Sequence, residues 1–181
     1  MNSRTLSIRE ALEAHEPTDA LEARHLAAMR ALCGSEGDVT SRHHYDPGHF
    51  TASAFVLHPT RPALLLIHHG KLDRWLQPGG HIDPEDTDIV AAALREVHEE
   101  TGLELTRGHV RGLLDVDVHR IPPLGPHPSH EHFDVRFLMA SPTDRIAHGS
   151  DAKAARWVEL DAVHEAESDA SVMRAVAKLA R

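Results

Sequence analysis

The stretch that decides the fold is Gly80-His81-Ile82-Asp83-Pro84-Glu85-Asp86-Thr87-Asp88, which runs on through Ile89–Leu94 into Arg95-Glu96-Val97-His98-Glu99-Glu100-Thr101-Gly102-Leu103. Between Asp88 and Thr101 the apolar residues Ile89, Ala92, Ala93 and Val97 fall on one helical stripe, and Gly102 stands where a helix-ending glycine belongs. On this predicted helix Glu96, Glu99 and Glu100 are spaced i, i+3, i+4, so three carboxylates project from one face of the last two turns. For folding alone the arrangement is unfavourable. Each carboxylate near the negative end of the helix dipole costs about 0.3–1 kcal/mol, and each like-charge pair at this spacing adds roughly 0.2–0.5 kcal/mol. A hard divalent cation reverses that sign. Mg²⁺ takes oxygen ligands and retains waters, which suits carboxylates that meet a phosphate group.

Outward from this segment, the chain alternates short β-rich runs with helical ones. Phe50–His58 and Ala63–His69 read as strands separated by the turn Pro59-Thr60-Arg61-Pro62. Gly70–Gly80, ending in Gln77-Pro78-Gly79-Gly80, reads as a loop. Val110–Ile121 and Phe133–Met139 are predicted strands on either side of a proline-rich loop, and Arg156-Trp157-Val158 is a short one. Upstream, Ser7–Glu16 forms a helix stopped by Pro17. Asp19 then caps a second helix with Glu22 at capping-box spacing, and Leu26, Met29 and Cys33 lie on its apolar stripe before Gly34. Asp161–Glu165 and Asp169–Leu179 complete a helical tail. Mixed elements without regular βαβ alternation predict an α+β layer arrangement. The expected organisation is a helical extension over residues 1–46 packed on a domain of residues 47–181.

Composition narrows the class. The chain has 181 residues, with 41% hydrophobic and 26% charged, close to globular averages. Its net charge of −9 argues against a dedicated nucleic-acid surface or an anionic-membrane binder, both of which need a positive field. Yet Gly80–Leu103 alone holds seven acids and one base, so the rest of the chain carries only −3. The surplus is mostly one local, metal-demanding patch, and an anionic partner can still meet the protein through bound metal. One cysteine, Cys33, excludes an intramolecular disulfide and a cysteine-rich zinc module. The charged start of the chain has no apolar signal region and no window approaches membrane-spanning length, which predicts a cytoplasmic protein without a membrane partner.

The segment Gly80–Leu103 resembles the signature box of the Nudix hydrolases: Gly, five residues, Glu, seven residues, then Arg-Glu-apolar-x-Glu-Glu-x-Gly-apolar. Arg95–Leu103 fits at every specified position. The first half departs from the pattern. Five residues after Gly80 comes Asp86 rather than Glu, with eight residues instead of seven before Arg95, so Asp86, Glu85 and Asp88 all compete for the place of the first acid. Trp75–Gly80 resembles the family's approach loop, and Arg156-Trp157-Val158-Glu159-Leu160 its late strand.

The resemblance implies an α/β/α sandwich around a mixed sheet, and hydrolysis of a nucleoside diphosphate linked to another moiety by attack of water on phosphorus. It implies Mg²⁺, with Mn²⁺ as an alternative, held by Glu96, Glu99 and Glu100 with the Gly80 carbonyl. Glu96 also positions or deprotonates the water in this scheme. Arg95 would orient a box carboxylate through a bidentate contact, and Gly79 and Gly80 would let the backbone approach metal or phosphate closely. Many family members take a further acid from a loop before the late tryptophan. Asp151, six residues before Trp157, fits that place, and Glu131 is its rival. Homodimers are common in the family.

Seventeen histidines are the remaining feature. His127, His130 and His132 cluster around the proline loop, and if Glu131 lies on a strand, His130 and His132 share one face. Such a trio can bind zinc or place donors near an anionic substrate. His68, His69 and His81 flank the box and can line the same cleft, and Trp75 either stacks on a base or packs in the core. The expected partner is a small phosphoanhydride. Two other functions use the same fold: a catalytically silent nucleotide-binding module, and isopentenyl diphosphate isomerase, which needs an active-site cysteine where this chain offers only the upstream Cys33.

Overall fold

The computed structural model describes residues 2–70, 73–147 and 152–179. Helices α1 (Ser3–Glu13) and α2 (Ala20–Leu32) open the chain, followed by strands β1 (Gly48–Leu57), β2 (Ala63–His69), β3 (Arg74–Leu76) and β4 (Gly79–His81). Helix α3 (Ile89–Thr101) leads to β5 (Val110–Ile121), β6 (His130–Ala140), β7 (Ala152–Glu159) and α4 (Ala170–Leu179). The strands form one mixed sheet in the order β3-β2-β1-β6-β5, with β4 paired to β1 and β7 to β2, flanked by helices. No helix among the described residues is long and apolar enough to cross a membrane.

The predicted loop over Gly70–Gly80 is corrected: it contains β3 and β4. Glycine and proline around a three-residue run conceal a strand from local pattern. Its hydrogen-bond partners come from β2, where Ile67, His68 and His69 face Leu76, Trp75 and Arg74. The predicted helix Ser7–Glu16 begins earlier, at Ser3, because the Asn2 side chain accepts from the Thr5 N–H at 2.8 Å. Asp19 caps α2 as expected, accepting from the Glu22 N–H at 2.8 Å. The buried Glu22 carboxylate itself accepts from the Thr18 N–H (2.7 Å) and hydroxyl (2.9 Å), and lies 2.7 Å from His15 Nε2.

Two compact units divide the contacts. One comprises residues 1–52, 80–92 and 115–136. Its apolar part is the buried stripe Ile8 and Leu12 of α1 with Leu26, Met29 and Leu32 of α2, plus Phe50 against Phe133 at 5.9 Å between ring centroids. Its polar part is unusual. Alternating residues of β5 (Asp115, Asp117, His119) and β6 (His130, His132, Asp134, Arg136) carry charge or imidazole on one face. The buried Arg136 guanidinium reaches Asp134 at 2.8 Å, Asp117 at 3.2 Å and Asp115 at 3.3 Å, and Thr51 donates to Asp134 at 3.1 Å. Burial works against the charge on Arg136, but the three carboxylates outweigh it and raise the guanidinium pKa above its ordinary value. Gly48, at the start of β1, lies so close to Glu131 that a Cβ there would sit 1.8 Å from the Glu131 carbonyl oxygen.

The second unit comprises residues 53–79, 93–114 and 137–181. Its core joins Phe55, Leu64 and Leu66 of the central strands to Val158 and to Val172, Ala175 and Val176 of α4. The α4 residues recur at i, i+3, i+4, so one stripe of the helix meets the sheet.

Candidate metal and phosphate site

Helix α3 starts where Asp88 Oδ1 accepts from the Val90 and Ala91 N–H groups, both at 3.0 Å. It ends at Gly102, whose φ of +69° closes the helix through an N–H donated to the His98 carbonyl at 2.8 Å. These two ends fix which residues fall in the last two turns. Ile89, Ala92, Ala93 and Val97 are buried as the stripe predicts.

On the other face, Arg95 Nη1 donates to Glu96 Oε1 at 2.9 Å and to Glu99 Oε2 at 3.0 Å. Arg95 thus bridges two of the carboxylates. The bridge places a positive charge between like charges and offsets part of their repulsion. Glu100 turns inward, with the Gly79 N–H donating to its Oε2 at 2.9 Å. The three acids therefore differ: Glu100 is buried, the Glu96 side chain is 13% exposed and that of Glu99 53% exposed. Their oxygens are an all-hard donor set, the chemistry a Mg²⁺-class ion requires.

The contenders for the missing first acid occupy distinct places. Asp86 is buried and accepts from the Asp83 N–H at 2.8 Å, which folds the turn before α3. Asp88 is the helix cap, and Glu85 is exposed. Asp151 lies outside the described residues. Its rival Glu131 is half-buried in β6 and donates its backbone N–H to the Pro47 carbonyl at 2.9 Å.

Trp75 is half-buried and packs against the core of the second unit. The Arg156 guanidinium lies 3.9 Å from its ring centroid and His68 meets it edge-on at 5.1 Å, so the indole already has a cation on one face. Cys33 caps the C-terminal end of α2, and burial pushes its thiol up to about 11, which leaves little thiolate for chemistry.

Of the histidines, His81, His130 and His132 come together, but with His49 rather than His127 as the next member. His49 lies 4.8 Å from His132, 5.0 Å from His130 and 5.2 Å from His81 between ring centroids. His127 instead contacts Tyr45, its Nδ1 2.7 Å from the phenol oxygen. Burial holds His49 down at about 4 and His132 at about 2, with the neighbouring imidazoles adding to both. Sequence reasoning passed over His49. The available signal was its alternation with Thr51 and Ser53 against Phe50, Ala52 and Ala54, a polar side to an otherwise apolar strand.

The sequence profile of the NUDIX domain matches residues 48–179. The chain belongs to the NUDIX domain family. It is 54% identical over 37 residues to the mitochondrial coenzyme A diphosphatase NUDT8 of Mus musculus, a match covering 20% of this chain and 18% of that protein. It is 31% identical over 100 residues to phosphatase NudJ of Escherichia coli, covering 52% of this chain and 57% of the relative. The chain thus aligns with under a fifth of the first relative's length and little more than half of the second's. Among solved structures, the MutT NUDIX hydrolase from Burkholderia pseudomallei superposes with a TM-score of 0.56 at 20% identity, covering 72% of this chain and 96% of that one. This likeness shows that the mixed sheet and its flanking helices are the Nudix fold.

Proposed function

We propose that this Nudix chain is a divalent-metal-dependent pyrophosphohydrolase, cleaving a phosphoanhydride in a nucleoside diphosphate linked to another moiety. The observation that carries the proposal is the acidic face of α3. Glu96, Glu99 and Glu100 occupy one side of its last two turns, with Arg95 bridging two of them and Gly79 donating to the third. Glu96, Glu99 and Glu100, with the Gly80 carbonyl, would hold Mg²⁺ or Mn²⁺. When bound, such an ion neutralises phosphate charge and lowers the pKa of the attacking water. Arg95 keeps Glu96 and Glu99 oriented. Glu96, the more sheltered of that pair, would position the attacking water or accept its proton, with Asp151 as the second candidate for that role. Gly79 anchors Glu100 through its backbone, and Trp75, Gly79, His81, His130 and His132 are the proposed substrate contacts. The names of the relatives, a coenzyme A diphosphatase and a phosphatase, support a phosphoanhydride substrate.

The test is hydrolysis across coenzyme A, dinucleoside polyphosphates, ADP-ribose, nucleotide sugars and nucleoside triphosphates with Mg²⁺, products being identified by mass spectrometry. Glu99→Gln should lower turnover by orders of magnitude while the protein stays folded, because the side chain is half exposed and Gln keeps its shape. A fully active Glu99→Gln enzyme sinks the mechanism. Tight nucleotide binding without turnover under any divalent ion would favour a silent binding module.

A further inference from the structure

We propose that His49, His81 and His132 form a binding site for one zinc-class divalent cation, separate in chemistry from the carboxylate site of α3. One ring nitrogen from each of the three lies within 4.8 Å of the others. A zinc–nitrogen bond of about 2.0–2.1 Å in tetrahedral geometry places ligands roughly 3.4 Å apart, so modest inward rotation of the rings closes the set. The residues come from three strands, β1, β4 and β6, so the backbone positions are held by the sheet rather than by a loop.

The hydrogen bonding of His49 supports a cation between the rings. His49 is wholly buried, and its Nε2 has no hydrogen-bond partner. Its other nitrogen, Nδ1, lies 3.1 Å from the His44 carbonyl oxygen. A carbonyl can only accept, so Nδ1 carries the proton and the Nε2 lone pair is left for the cluster. A buried acceptor without a partner calls for an explanation, and a metal ion satisfies it.

The surrounding groups are arranged in the same sense. His130 stacks on His49, with its Nδ1 2.8 Å from the Pro128 carbonyl oxygen. His119 meets the His132 ring at 5.6 Å, with its own Nδ1 3.1 Å from Asp117. Two more imidazoles therefore wall the site without being needed as ligands. Nitrogen donors select zinc-class ions over Mg²⁺, which prefers oxygen. Three imidazoles leave the fourth tetrahedral position to water.

The test uses untagged full chain, stripped with a chelator and titrated with Zn²⁺ alone, then with Co²⁺ as a spectroscopic probe, both in excess Mg²⁺ to occupy oxygen-donor sites. The expected results are one tight Zn²⁺ per chain, a tetrahedral Co²⁺ visible spectrum and a higher melting temperature with zinc. His49→Gln and His132→Gln should each weaken zinc binding at least about tenfold. His43→Gln and His127→Gln, at exposed histidines, should leave it unchanged, as should Glu99→Gln. Absence of tight zinc binding by the wild-type chain overturns the proposal, as does an octahedral Co²⁺ spectrum, whatever the variants do. So does wild-type zinc affinity in a folded His49→Gln/His132→Gln double variant, folding being checked by circular dichroism.

Discussion

Glu99 and Glu100 are adjacent in the chain and face different environments. Glu100 is buried and takes a charge-assisted bond from the Gly79 N–H, whereas Glu99 is half exposed and shares Arg95 with Glu96. Glu100→Ala leaves the Gly79 N–H unsatisfied and should cost about 1.5–3 kcal/mol, read as a lower urea midpoint. Glu100→Gln keeps an acceptor oxygen and should cost less. Asp38 shows the same logic near the N-terminus. Burial opposes its ionisation, but bonds from the Thr40 hydroxyl and N–H, from Asn2 and from Arg4 prevail and hold its pKa below the usual carboxylate value. A depressed carboxylate pKa contributes stability above the unfolded value of about 3.9 and loses it as the pH falls through the folded value. Asp38→Asn should therefore lower the urea midpoint at pH 7 and narrow the gap between the pH 7 and pH 3 midpoints relative to wild type.

Among the elements, α3 was the most legible from sequence. Its apolar stripe, cap and closing glycine are all local signals, and they agree. Asp88→Ala removes the acceptor for two N–H groups and should cost about 1 kcal/mol in chemical denaturation. The acidic face lies at the other end of the helix, so turnover should change little. β3 and β4 were not legible, because three-residue strands owe their existence to partners supplied by β2 and β1 rather than to their own composition. The histidine site was half legible. Period-two spacing puts His130 and His132 together, but only the fold brings His49 and His81 to them, from strands that sequence order does not place side by side.

For the whole molecule, the distribution of charge replaces its sum. Six of the nine net negative charges fall in Gly80–Leu103, and two more belong to the buried set of Arg136 with Asp115, Asp117 and Asp134. The remaining residues are therefore nearly balanced, which no reading of total charge reveals. The Arg136 guanidinium reaches all three carboxylates of the buried set, with His25 and His119 also beside Asp117. Arg136→Ala leaves three carboxylates buried without their cation and should destabilise by about 3–5 kcal/mol, seen as a large fall in urea midpoint or in soluble yield.

The backbone contact at Gly48 bears on how this sequence can vary. The atoms that a methyl group would strike belong to the main chain of Glu131, so no change of rotamer in any neighbour relieves the clash. Position 48 is thus closed to alanine as firmly as to tryptophan. Any side chain at 48 has to displace main chain to be accommodated, so the place of His49 is set by a neighbour that has no side chain at all.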